Sequence, residues 1–185
     1  MCGIIGYTGS RSAVAVLLEG LRRLEYRGYD SAGIAVGDER GGLEVVRVVG
    51  KVRQLAEALE GRVVKGTFGV GHTRWATHGR PAEENAHPHR DCGGQVAVVH
   101  NGIIENYLAL RRELEEEGHR FVSETDTEVI GHLVERELGK ASLSEAVRRA
   151  AARLEGLFAF ALVWAGEPGV VVGMRRGAPL VVGVG

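Results

Sequence analysis

A cysteine stands at position 2, directly after the initiator methionine. Loss of Met1 would leave a thiol and a free α-amine on one residue, a nucleophile carrying its own base. An α-amine titrates at about 7.7–8.0 and a thiol at about 8.5, so both exchange protons near neutrality. The arrangement belongs to the nucleophile and N-terminal amine class, and it fails if Met1 stays, because the amine is then a non-basic amide. On these two residues alone, a small apolar side chain that packs by chance near the start is the better reading.

Four further segments carry groups that could join Cys2. The first, Tyr26 to Gly33, holds Arg27 and Gly28. As structure, Gly28 is a helix C′ residue, with Arg22, Arg23 and Arg27 meeting the negative end of the helix dipole. As chemistry, Gly28 admits a close backbone approach and Arg27 would favour a thiolate. The second, His72 to Gly79, concentrates polar, cationic and aromatic groups after an apolar strand. Arg74 can grip a carboxylate through two parallel hydrogen bonds, Thr77 and His78 can add donors, and Trp75 can close over a small ligand. The competing picture is a solvated turn with Trp75 plugging the core and His72 facing inward.

The third segment, His100-Asn101-Gly102, reads first as a hairpin turn. The Asn101 amide and the Gly102 N–H could instead point at one oxygen, a hole for a tetrahedral oxyanion in which one donor is worth about 2.7–4 kcal/mol. The fourth, Ser123 to Glu128, fits a capping box between Thr125 and Glu128, with Asp126 complementing the helix dipole. Asp126 could also receive an ammonium group, and Arg74 with Asp126 would then match both charged ends of an α-amino acid. A rival cluster, His87-Pro88-His89-Arg90-Asp91-Cys92, invites a zinc reading, but its spacing matches no common structural zinc pattern, and no metal ligand is assigned.

The elements that must position these groups follow from periodicity. Cys2 to Tyr7 reads as a strand, and Ser10 opens a helix with Val14, Leu17, Leu18, Leu21 and Leu24 on one face, ending near Gly28. Ala32–Val36 and Leu43–Val48 read as paired strands joined by a turn through Asp38 to Gly42, followed by a short helix marked by Val52, Leu55, Ala56 and Leu59. Strands are expected over Thr67–His72 and Gln95–His100, and helices over Tyr107–Glu117, Glu128–Leu138 and Leu143–Leu154. Three strands close the chain: Leu157–Trp164, Val170–Arg175 and Leu180–Val184. Clustered strands beside clustered helices, without strict βαβ alternation, predict an α+β fold.

The 185 residues, 44% hydrophobic and 25% charged, suit one globular domain spanning 1–185. With 23 basic and 24 acidic residues interspersed and a net charge of −1, neither nucleic acid nor an anionic membrane is an expected partner. No apolar run approaches the roughly 20 residues of a membrane span and no signal peptide is evident. Two cysteines ninety positions apart make no disulfide framework, so a cytosolic location is expected. The abrupt end at Gly185 suggests a piece of a longer polypeptide.

The motifs MCGIIGY, EYRGYDSAGI, HTRWATHG, NAHPH, VVHNGIIENY and FVSETDTEVI run in order from residue 2 to about 130. Together they closely resemble the glutaminase domain of the glutamine–fructose-6-phosphate aminotransferases, which are class II glutamine amidotransferases. The tail MRRGAPLVVGVG also resembles the end of that domain. The resemblance implies a four-layer αββα sandwich of the N-terminal nucleophile hydrolase type, with Cys2 as mature first residue and no cofactor. It further implies that Cys2 attacks the side-chain amide of L-glutamine with its α-amine as base, through a water. Asn101 and the Gly102 N–H would hold the oxyanion, and Arg27 and Gly28 would position the terminal residue. Arg74, Thr77, His78 and Asp126 would bind the amino-acid end, with Trp75 on the loop that closes over it. Ammonia would pass to fructose 6-phosphate held by C-terminal sugar-isomerase domains, which this chain lacks; a homodimer is expected of the full-length form. Amidophosphoribosyltransferase and asparagine synthetase carry related domains, though EYRGYDSAGI and HTRWATHG look less like either. Outside catalysis, a glutamine-sensing or zinc-binding module is the alternative.

Overall fold

The structure, a computed structural model, describes residues 2–38, 40–75 and 82–184. Two four-stranded antiparallel sheets face each other. The first is built from β1 (Gly3–Thr8), β2 (Ser31–Gly37), β3 (Leu43–Val49) and β4 (Phe68–Arg74), in the order β1-β4-β2-β3. The second is built from β5 (His89–Arg90), β6 (Val96–Gly102), β7 (Phe158–Trp164) and β8 (Val172–Arg176), in that order. Their facing sides interlock through Ala35, Phe68 and Val70 from one sheet and Ala97, Val99, Ala161 and Val163 from the other.

Helices cover both outer faces. On the first sheet, α1 (Ala13–Leu24) and α2 (Val52–Leu59) bury Leu17, Leu21 and Leu55 against Ile34 and Val46. The 3.6-residue spacing of the α1 leucines makes that stripe, and Arg22 and Arg23 occupy its last turn, where the dipole favours cations. On the second sheet, α3 (Tyr107–Glu116), α4 (Glu128–Glu137) and α5 (Leu143–Arg153) bury Leu114, Leu133 and Val147 against Phe158, Phe160 and Leu162. The layers are therefore αββα, as expected. Both sheets are covered on both faces, which is why β2 and β4 read as continuous buried runs rather than alternating ones. Among the described residues, no helix is long and apolar enough to cross a membrane.

Four expectations are corrected. Leu180–Val184 forms no strand: Val181, Val182 and Val184 are exposed and no ladder partner covers them, so β-propensity alone cannot hold an extended segment. Asn101-Gly102 is not a hairpin turn but the end of β6, still in register with Ala159 and Phe158 of β7. Gly28 is not a left-handed C′ residue; its φ is −170°, ordinary extended backbone. The capping box from Thr125 is absent: the residue before α4 is Thr127, and Glu128 instead accepts from the Ser123 N–H at 2.7 Å and the Ser123 hydroxyl at 2.6 Å.

Candidate active site

Antiparallel registry assembles the site. Gly3 of β1 lies opposite Thr73 of β4, so Cys2, one residue before β1, meets the end of β4 at Arg74 and Trp75. The Trp75 N–H donates to Cys2 Sγ at 3.2 Å. From the second sheet, β6 ends at the same rim and its Asn101 Nδ2 donates to the Cys2 carbonyl at 3.1 Å. The segment entering α4 supplies Asp126. Cys2, Arg74, Trp75, Asn101, Gly102 and Asp126 line one pocket, together with His87, His100, Thr125 and Thr127.

Burial raises the Cys2 thiol above its usual pKa, and the Trp75 N–H only partly offsets this. A neutral thiol is thus the resting form, and attack on a carbonyl needs a base beside it. Arg74 is 4% exposed and Asp126 8%, so both charges are held out of water at the pocket wall. Asp126 Oδ2 accepts the buried Ile104 N–H at 2.7 Å, which fixes the carboxylate.

Beneath these groups lies a layer of imidazoles that sequence reasoning left out of the site. His72 Nε2 is 3.0 Å from the His100 carbonyl and 2.9 Å from Asn101 Oδ1. A carbonyl only accepts, so Nε2 carries the hydrogen; the Asn101 atom facing it must then be the oxygen, which turns the Asn101 NH₂ toward Cys2. Burial drives His72 down to about 3, so it remains a neutral donor near neutrality. His87 stacks on His72 with ring centres 4.1 Å apart. The Thr127 hydroxyl bridges His87 Nε2 at 3.0 Å and His100 Nδ1 at 2.9 Å, and burial lowers both rings, His100 to about 4. Their apolar flanks gave no periodic signal; the only cue was their place beside chemistry-bearing motifs.

The remaining residues singled out in the sequence divide. Gly28 packs against the end of β4: a Cβ there would lie 2.7 Å from the Arg74 carbonyl carbon and 2.9 Å from the Trp75 nitrogen, so only glycine permits this approach. Arg27 does not reach the pocket lining; its Nε donates to the Tyr26 hydroxyl at 3.0 Å. Trp75 is no core plug: it is half-exposed and meets Tyr29 edge-on at 5.4 Å. Thr77 and His78 lie outside the described residues. Gly102 has φ +115°, in the left-handed range that disfavours any side chain, and a Cβ would also collide with the Leu157 carbonyl oxygen. The run from His87 to Cys92 does not converge on a metal, since His87 and His89 turn to Thr127 and Thr125 while Asp91 accepts the Val96 N–H.

Known proteins similar in sequence and fold narrow its meaning. The family described as "Glutamine amidotransferase domain" matches residues 72–177. The glutamine–fructose-6-phosphate aminotransferase (isomerizing) of Aquifex aeolicus is 54% identical over all of this chain and 31% of its own length; that of Gloeobacter violaceus is 56% identical over all of this chain and 30% of its own length. The chain thus spans about a third of the curated relatives it matches. Among solved structures, the glutamine phosphoribosylpyrophosphate amidotransferase from B. subtilis superposes with a TM-score of 0.75 at 30% identity, covering 89% of this chain and 35% of that one. The cysteine at the head of this αββα sandwich faces Asn101 and Gly102 across one pocket, and with the family match spanning more than half of its length the chain belongs to the glutamine amidotransferase domain family.

Proposed function

We propose that this chain is the glutaminase domain of a glutamine–fructose-6-phosphate aminotransferase, hydrolysing L-glutamine to glutamate and ammonia through a thioester on Cys2. The observation that carries the reading is the convergence of Cys2 with Asn101, Arg74 and Asp126 on one pocket. With Met1 removed, the Cys2 α-amine takes the thiol proton through a water, and the sulfur attacks the glutamine side-chain carbonyl. The tetrahedral oxyanion is held by the Asn101 amide and the Gly102 N–H, neighbouring donors at the end of β6. The amine returns the proton to the departing nitrogen and ammonia leaves. Water, deprotonated by the same amine, opens the thioester and releases glutamate.

Arg74 takes the substrate α-carboxylate and Asp126 the α-ammonium, with Thr77 and His78 adding hydrogen bonds and Trp75 closing over the amino acid. Gly28 serves by its lack of a side chain, holding the end of β4 close to Cys2, and Arg27 helps to position the terminal residue from outside the pocket lining. Both cysteines are free thiols, which suits a reducing, cytosolic setting. In a longer chain, sugar-isomerase domains would receive the ammonia on fructose 6-phosphate, and the full-length form would be a homodimer.

The solved phosphoribosylpyrophosphate amidotransferase favours a second acceptor, but at 30% identity against 50–56% for the curated aminotransferases it supports it less. Supplying the purified chain with L-glutamine and then joining it to each acceptor domain tests both levels. Hydrolysis with transfer only to the sugar phosphate is expected; transfer only to a phosphoribosyl acceptor would overturn the assignment.

A further inference from the structure

On the helix-covered side of the second sheet, three segments distant in sequence bring four metal-binding side chains together. Cys92 lies in the turn between β5 and β6, His119 follows α3, and His132 and Glu135 stand one turn apart on α4. One ligand atom from each of the four falls within 4.8 Å of all the others. Cys92 Sγ is 3.7 Å from His119 Nδ1 and 3.6 Å from His132 Nδ1. With Zn–S bonds of about 2.3 Å and Zn–N bonds of about 2.0–2.1 Å, the sulfur to nitrogen edge of a zinc tetrahedron is about 3.6 Å. Glu135 Oε2 sits 2.9 Å from His119 Nδ1 and 3.2 Å from His132 Nδ1, and withdraws by a few tenths of an ångström to complete the figure.

The surroundings suit a thiolate–imidazole centre. The Arg120 N–H donates to Cys92 Sγ at 3.3 Å, a bond that a thiolate accepts better than a thiol. His132 is fully buried, and its second nitrogen faces the Glu128 carboxylate at 3.7 Å, so a carboxylate stands behind the ring as it does behind many zinc-bound histidines. Cys92 is exposed, leaving a way in.

We infer that Cys92, His119, His132 and Glu135 form a zinc site. One sulfur, two nitrogens and one oxygen fill all four positions, so no coordination place is left for substrate and the ion is structural. Binding releases the Cys92 proton and ties the turn after β5 and the loop after α3 to α4. Because α4 is entered through Asp126 and Thr127, the clamp braces one wall of the pocket from behind.

The test begins with metal analysis of the chain loaded with zinc and freed of excess by gel filtration. One zinc per chain is expected, retained by Cys2→Ala and lost from Cys92→Ser. Replacement of zinc by Co(II) should give intense tetrahedral visible bands and a thiolate charge-transfer absorption that Cys92→Ser lacks. If Cys92→Ser does not fold, Glu135→Gln and a zinc titration of the metal-free native chain against a chromophoric chelator take its place. Substoichiometric zinc after loading, retention of zinc by the folded Cys92→Ser variant, or dissociation constants weaker than micromolar would each overturn the inference. None of these readouts depends on glutamine turnover.

Discussion

On the proposed mechanism, His72→Leu should lower turnover without touching substrate, because the ring holds Asn101, the proposed oxyanion donor, rather than the oxyanion itself. The imidazole is fully buried and neutral, so leucine removes one hydrogen-bond donor and no charge. What is lost is the donor shared between the His100 carbonyl at 3.0 Å and Asn101 Oδ1 at 2.9 Å, the second of which turns the Asn101 NH₂ toward Cys2. A neutral hydrogen bond contributes about 1 kcal/mol net, or roughly five-fold in rate, while the whole oxyanion donor is worth about 2.7–4 kcal/mol, or roughly 10²–10³-fold. The expected fall in kcat for glutamate release lies between these bounds, near ten-fold, with KM and the rate of Cys2 alkylation by iodoacetamide little changed. His72→Gln, whose side-chain N–H can donate to the same oxygen, should recover part of the loss. The decisive comparison is the double variant. If His72 acts through Asn101, His72→Leu costs nothing further once Asn101→Ala is present. Full additivity of the two effects in folded proteins would refute the reasoning.

Three other outcomes follow from the same geometry. Gly28→Ala puts a methyl 2.7 Å from the Arg74 carbonyl carbon and should displace the Trp75 N–H from Cys2, cutting kcat at least ten-fold with a near-native thermal melt; wild-type turnover would show that the close approach is dispensable. Arg74→Ala should raise the glutamine KM far more than it slows alkylation of Cys2 by a neutral thiol reagent, and equal losses in both would count against a carboxylate-binding role. Acid should weaken the fold early: His72, His87, His89 and His100 are lowered by burial in the folded state and titrate near 6.5 once unfolded, so below about pH 6.5 the unfolded chain binds more protons and stability falls. Four such groups give a slope on the order of 5 kcal/mol per pH unit between about pH 6 and 5, read from urea midpoints; flat stability across that range would mean the rings are not buried neutral.

Much of this molecule is legible in the residues, for physical reasons that also set the limits. The α1 leucines and the apolar runs of β4, β6 and β7 announce themselves because burial imposes a period or a continuous stretch. Leu180–Val184 misleads because β-branched composition reports a preference, while a strand also needs a neighbour. The two residues of β5 are too few to carry a pattern. Gly28 was legible as a close-approach glycine or as a helix cap, and only the position of β4 decides between them. Cys92 illustrates the hardest case: its partners stand 27, 40 and 43 positions away, so no local spacing could have joined them. The pocket's charged wall is legible because Arg74 and Asp126 each sit in an unusually dense polar run, yet their shared destination comes only from the two sheets meeting at one rim.

The central claim is that Cys2 is the nucleophile of a glutaminase, and it is tested most directly by following glutamate release from L-glutamine by this chain after intact mass confirms loss of Met1. Release that is stoichiometrically abolished by alkylation of Cys2, and absent from Cys2→Ser with the fold intact, is the predicted result. Undiminished release after Cys2 is fully modified, or none from correctly processed and folded protein, would contradict it.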